Sequence, residues 1–117
     1  MNITDNLIEY ITAMNLDESN IDTYPNKIES KLCLLKCSLL SLREVTSLLQ
    51  KSRSLLNRNV PHMRPIVNFY QEEQLEIIKN IDYKSNLLPS ALNANSYKDQ
   101  ITHIQTEWAK LQSLLGK

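Results

Sequence analysis

Two cysteines, two histidines and a close group of glutamates are the side chains of this 117-residue sequence that could do chemistry. Cys33 and Cys37 stand four apart, on one face of a helix, a spacing that can hold half a metal site. Zinc needs four ligands, or three and an open position. The only histidines, His62 and His103, fall in different segments and bring no second ligand pair. The cysteines therefore read as small, reduced hydrophobes in or beside a core. His103, between Ile101 and Ile104, reads as a solvent-facing or boundary residue rather than a base. Glu72, Glu73 and Glu76 could form an acid–base pair. Three carboxylates near a helix start are more often a solvated face that the helix dipole favours. No Ser, His and Asp occur with a nucleophile elbow or an oxyanion motif. The expectation is a non-enzyme without cofactor or metal.

A basic run, Lys51, Arg53, Arg58 and Arg64 with His62, could face nucleic acid or an acidic partner. It lacks interleaved aromatics on which bases would stack. A helix C-terminus also favours cations. We read the run as serving the dipole and an acidic partner, or the chain's own acidic N-terminal block, rather than nucleic acid.

The elements that must position these residues are helices. One glycine cannot supply a phosphate-binding loop, a dinucleotide turn or the hairpins of a sandwich. Leucine dominates, and strand formers are scarce, with three Val and one Phe. Two cysteines cannot build a disulfide framework. No apolar stretch is long enough to span a membrane, and the Met1-Asn2-Ile3-Thr4-Asp5 start has no basic n-region of a signal peptide.

Ile3, Leu7, Ile11 and Met14 recur at helical spacing and predict a helix over 3–15, capped by Asn2 or Thr4. A long helix follows over 25–58, with Thr23 as its N-cap and Pro25 near its first turn. Along it Ile28, Leu32, Leu35, Leu39, Leu42, Thr46, Leu49, Arg53 and Leu56 form a heptad seam with two polar interruptions. A second stripe, Leu34, Leu48 and Leu55 with Val45 nearby, runs beside it. Two stripes on one helix require two neighbours, since a two-stranded coil would leave one wet.

Pro61 and Pro65 break the chain over 59–65. A third, less regular helix is expected over 65–82 and a loop over 82–95, with at most a short helix from Pro89. A fourth helix spans 96–115, where Tyr97, Ile101, Ile104, Trp108, Leu111 and Leu115 form an uninterrupted seam. Ser96 with Asp99 resembles a capping box, and Gly116 stands where a C-cap is expected.

The formal net charge of zero is a sum of blocks: −5 over residues 1–29, +6 over 30–65 and −1 over 66–117. A neutral total argues against a general nucleic-acid binder. The fold class expected is all-α, one domain over 1–117: an elongated bundle or coiled coil of three to four helices, completed by partner helices. The expected partner interface is Leu32, Leu35, Leu39, Leu42, Leu49 and Leu56 on the second helix and Ile101, Ile104, Trp108 and Leu111 on the fourth. Thr46 and Arg53 would fix register within a hetero-oligomer.

Several short elements, in order, resemble the dynactin subunit 3 family, the small shoulder subunit of dynactin. Leu7-Ile8-Glu9-Tyr10 is similar to its Leu-Ile-x-Tyr element. Leu16 to Asp22 is similar to its Leu-Asp-Pro-x-x-Ile-Asp element, with Glu18 in place of the proline. Ser30-Lys31-Leu32 opens the long helix as in the family, and Val60-Pro61-His62 falls at the family's Val-Pro break. Tyr97-Lys98 and Glu107-Trp108-Ala109-Lys110-Leu111 resemble its closing Tyr and Trp-x-x-Leu helix. The resemblance covers nearly the whole chain but only the C-terminal part of the usual family length, and residues 11–15 are inserted between the first two elements. It implies a cytoplasmic, cytoskeletal structural subunit, at centrosome and kinetochore with its parent complex. Its partners would be dynamitin and the large Glued subunit, in support of dynein-driven transport. The competing readings are a coiled-coil subunit of another cytoskeletal, kinetochore or spindle complex and a small helical secretion chaperone.

Overall fold

The computed structural model describes residues 3–16 and 25–115. Four helices order them: α1 Ile3–Ala13, α2 Ile28–Asn57, α3 Met63–Leu87 and α4 Lys98–Leu115. Two 3-10 turns, Leu88–Ser90 and Ala94–Tyr97, link α3 to α4. The fold is all-α. Thr23, Gly116 and the Asp17–Asp22 stretch lie outside the described residues.

Neighbours in the chain pack as neighbours in space, α1 on α2, α2 on α3 and α3 on α4, and α4 closes back onto α1. Each neighbouring pair along the chain is antiparallel. Asp5 meets Arg43 while Ile11 and Thr12 share a shallow groove with Cys33 and Lys36. Ser38 meets Asn80 while Thr46 meets Gln74, and Gln105 meets Ser85 while Trp108 meets Asp82. This is an up-down-up-down four-helix bundle.

The helices are unequal in length, and that shapes the molecule. At 1.5 Å per residue the 30 residues of α2 reach about 45 Å, whereas the 11 of α1 reach only about 16 Å. The short helices cover one end of the α2–α3 hairpin and leave the other end as a two-helix arm. The base is Leu7, Ile8 and Ile11 of α1, Ile28 to Val45 of α2, Ile81 of α3 and Ile101, Ile104, Trp108 and Leu111 of α4, all in one apolar cluster. Beyond the Thr46–Gln74 hydrogen bond, the arm buries only Leu49, Ser52 and Val67 among the described residues. The molecule measures 52 × 27 × 22 Å with a radius of gyration of 16.1 Å, against about 13 Å for a compact chain of this length.

The seam of α2 departs from strict heptads. Arg53 is exposed, and Ser52 takes the buried place, its hydroxyl donating back to the Leu48 carbonyl at 2.8 Å. The expectation that Arg53 lies in the seam is corrected. A straight helix turns at 3.6 residues rather than 3.5, so a strict heptad row drifts around it, and the face toward α3 passes through Val45, Leu49 and Ser52.

Among the described residues, left-handed backbone falls at Asn15, Asn59, His62 and Asn93. Asn tolerates this region better than other side chains. Asn59 closes α2 in a Schellman motif: its N–H donates to Leu56 O at 3.0 Å and that of Val60 to Leu55 O at 3.1 Å. α3 begins at Met63, so Pro65 falls in the first turn, where its missing N–H leaves no bond unmade. α3 also runs on through the stretch expected to be a loop, to Leu87. Ser96 lies in a 3-10 turn rather than at the cap of α4, while Asp99 remains in its first turn. Thr4 is inside α1, not before it. Pro25 sits in a turn ahead of α2, whose start is tied by backbone bonds to the α3–α4 link: Ile28 N to Leu92 O at 2.9 Å and Leu92 N to Asn26 O at 2.8 Å.

Candidate helix-docking interface

The seam residues assigned to a partner surface are covered by the chain's own helices. Leu32, Leu35, Leu39, Leu42 and Leu49 are each about as buried as a side chain can be, and Ile101, Ile104, Trp108 and Leu111 are buried too. Leu56, near the end of the arm, is half-buried. α1 and α3 supply the two neighbours that α2 requires, and α4 closes the same core. Trp108 also donates its indole N–H to Asp82 Oδ1 at 3.3 Å, a bond that keeps its polar end satisfied within the chain.

The second stripe of α2 has the opposite fate. Leu34 is exposed, and Leu48 and Leu55 are half-buried. These three fall at seven-residue intervals with Ser41 as the missing member. Ser41 lines a shallow groove between α2 and α3, together with Ser38, Glu76, Ile77, Asn80 and Lys84. The register that pairs Thr46 with Gln74 sets Leu55 level with Pro65, next to the exposed Ile66. Tyr70 and Ile77 are half-buried, and Phe69, 56% exposed, stacks edge-on against Tyr70 at 5.5 Å between ring centroids. The α2–α3 hairpin thus carries an apolar strip along a face that neither α1 nor α4 covers. Sequence periodicity identified Leu34, Leu48 and Leu55 as a stripe; Ile66 and Phe69 join it only in the structure, where both are exposed.

The side chains singled out for chemistry are dispersed. Cys33 is buried and Cys37 exposed. His62 lies in the turn at the arm's tip, and exposed His103 stacks on Tyr10 with ring centroids 4.2 Å apart, a contact between α4 and α1. Among the described residues no group of three or more His, Cys, Asp or Glu is placed to hold a metal ion. No described helix is long and apolar enough to cross a membrane. Glu72, Glu73 and Glu76 are exposed, and they stand more than two turns inside α3, out of reach of its N-terminal dipole. The dipole reading of these glutamates is corrected.

The basic run gathers at the arm. Lys51, Arg53, Arg58 and Arg64 are all exposed, and no ion pair joins them to an acidic side chain among the described residues. Arg58 is the C-cap of α2, but Arg64 sits in the first turn of α3, the end that disfavours a cation. The dipole therefore accounts for one of the four. Of the acidic block, Asp5 of α1 pairs instead with Arg43 at 3.4 Å, in the base, and Asp17, Glu18 and Asp22 lie outside the described residues.

These observations define a class of protein: an up-down-up-down four-helix bundle with a projecting two-helix arm and an apolar strip along it. Comparison with known protein families, with curated proteins and with solved structures finds no match for the chain.

Proposed function

We propose that this chain is a non-catalytic structural subunit of a larger helical assembly. Its base folds as a self-contained bundle, and its arm packs with helices of other chains. The observation that carries this reading is the apolar strip outside the core, Leu34, Leu48, Leu55, Ile66 and Phe69, on a hairpin packed along its α2–α3 seam. Large apolar side chains that line up along one face are better explained by a partner than by chance exposure of single residues.

The assembly we propose is the shoulder of dynactin, with dynamitin and the large Glued subunit as partners in dynein-driven transport on microtubules. The support for that narrower step is the collinear set of elements from Leu7-Ile8-Glu9-Tyr10 to Trp108-Ala109-Lys110-Leu111. Affinity purification of the tagged chain with mass spectrometry tests it. Dynamitin and the Glued subunit should stand among the strongest partners. A kinetochore or spindle complex in their place would overturn the dynactin assignment, and a chain recovered only with itself would overturn the hetero-assembly.

A further inference from the structure

The end of the arm differs in charge from its sides. Between Val45 and Gln71 the chain carries four cations, Lys51, Arg53, Arg58 and Arg64, and no carboxylate. All four are exposed, and no ion pair holds them among the described residues. They ring the arm rather than line one face of it. Lys51 and Arg53 stand two residues apart on α2, and so about 200° apart around its axis. Arg58 caps α2 and Arg64 belongs to the first turn of α3, so these two flank the connecting turn. At 1.5 Å per residue along the helices, all four fall within about 10 Å of that turn. The nearest carboxylates, Glu72 on α3 and Glu44 on α2, stand about 14 Å and about 21 Å back from it. Salt screens charge over about 8–10 Å. A body meeting the end of the arm therefore meets positive charge alone, whereas one lying along its side also meets Glu44, Glu72 and Glu73.

The connecting turn is itself apolar. Val60 and Pro61 are exposed on it, Met63 is half-buried beside it, and the exposed Ile66 follows within one turn of α3. Its backbone presents no negative end. The α2 carbonyls of Ser54, Leu55 and Leu56 accept from the N–H groups of Arg58, Asn59 and Val60. His62, the N-cap of α3, makes no side-chain capping bond, and the first turn of α3 holds no acidic residue. The partial positive charge of that helix start adds to the four full charges.

The possible occupants differ in shape and chemistry. A single partner helix lies along one side and leaves the cations of the other side unmet. A second copy set end to end would oppose four cations to four. A nucleic acid would meet the charge but leave Val60 and Met63 wet, and no Phe, Tyr or Trp stands in residues 59–65 for a base to stack on. An anionic lipid surface meets every requirement. It is planar, so it spans the whole end of the arm, and it carries negative charge over an apolar layer. Lys51 and Arg53 are long enough to extend toward such a surface while their stems stay on the helix.

We propose that the α2–α3 arm docks end-on against an anionic lipid bilayer, with Val60 and Met63 entering the headgroup layer and Lys51, Arg53, Arg58 and Arg64 meeting the acidic headgroups. The contact is peripheral, since no described helix is long and apolar enough to cross a membrane. It leaves the side of the arm to partner helices and holds whichever chains pack there.

Flotation of the full chain with vesicles tests it. Vesicles of two parts phosphatidylcholine to one part phosphatidylserine should carry the chain, and pure phosphatidylcholine should not. Raising the salt should weaken the binding at least about tenfold. Arg58→Glu/Arg64→Glu should weaken it at least about tenfold with the helical circular dichroism unchanged. Lys79→Glu/Lys98→Glu makes the same change in net charge far from the tip and should bind as the wild type does. In Val60→Trp the fluorescence should shift to the blue on the mixed vesicles, while the wild-type chain, whose Trp108 is buried in the base, should show no shift. Absence of binding, equal binding to both vesicles, or equal losses in the two charge-reversed variants overturns the proposal. So does an unmoved Val60→Trp emission, or tighter binding of a single-stranded oligonucleotide than of the mixed vesicles.

Discussion

Leu34 and Leu35 are adjacent in the chain and end in opposite places, the first 40% exposed and the second 1%. Truncating a buried leucine costs about 2–5 kcal/mol, whereas a surface change falls within about 0.5 kcal/mol. Urea unfolding of Leu35→Ala should therefore show a loss in the larger range, and that of Leu34→Ala almost none. Comparable losses would mean that the two stripes are not divided as the structure divides them. Trp108→Ala removes both a large core side chain and the bond to Asp82, and it should cost about 3–5 kcal/mol. Trp108→Phe keeps most of the packing and should recover the greater part of this, read from the same unfolding curves. A substitution such as Leu42→Asp would unfold the base rather than detach a partner, because it leaves a charge in the apolar cluster. Burial itself was legible at this scale: Leu32, Leu35, Leu39, Leu42 and Leu49 stood out as one apolar row. What covers them was not, because periodicity gives the direction in which a side chain points and not the identity of its neighbour.

At the scale of the elements, the break at Pro61 was legible because proline removes a donor wherever it stands. The devices around it were not. Asn59 ends α2 in the left-handed region, and nothing in an asparagine codon distinguishes that use from an ordinary loop residue. Asn59→Gly should stabilise the chain slightly, by up to about 1 kcal/mol, and Asn59→Ala should destabilise it by about 1 kcal/mol. Thermal unfolding of the pair measures the sign, and a gain in both variants would contradict the assigned conformation. The extension of α3 across Asp82 to Leu87 was hidden by its polar residues. The structure shows what holds them: Trp108 on Asp82, Lys84 Nζ donating to Ser38 Oγ at 2.7 Å, and the Gln105 side chain donating to the Ser85 carbonyl at 3.0 Å. Local propensity cannot anticipate bonds to partners so distant in sequence. The surface ion pair between Arg43 and Asp5, half-exposed on the arginine side, adds little to α1 docking; Leu7, Ile8 and Ile11 supply it through burial.

The whole molecule divides into a four-helix base and a two-helix arm of unequal stability. Few side chains are buried in the arm, so its amides should open locally at a lower free energy than those of the base. Hydrogen exchange should show residues 47–73 exchanging before 32–42 and 101–111; uniform protection would contradict the division. The opposed charge blocks were legible in the sequence, but the placing of Lys51, Arg53, Arg58 and Arg64 on an arm, beyond α1, depends on the relative lengths of α1 and α2. The central claim is that the strip outside the core holds this chain in its assembly. Leu34→Glu with Ile66→Glu places charges on two exposed positions of that strip, the second near the N-terminus of α3, where a carboxylate is tolerated. Co-purification of this double variant, with its melting temperature measured in parallel, tests the claim most directly. The account predicts a wild-type melt and loss of the partner chains; a wild-type melt with partners recovered at the wild-type level would contradict it.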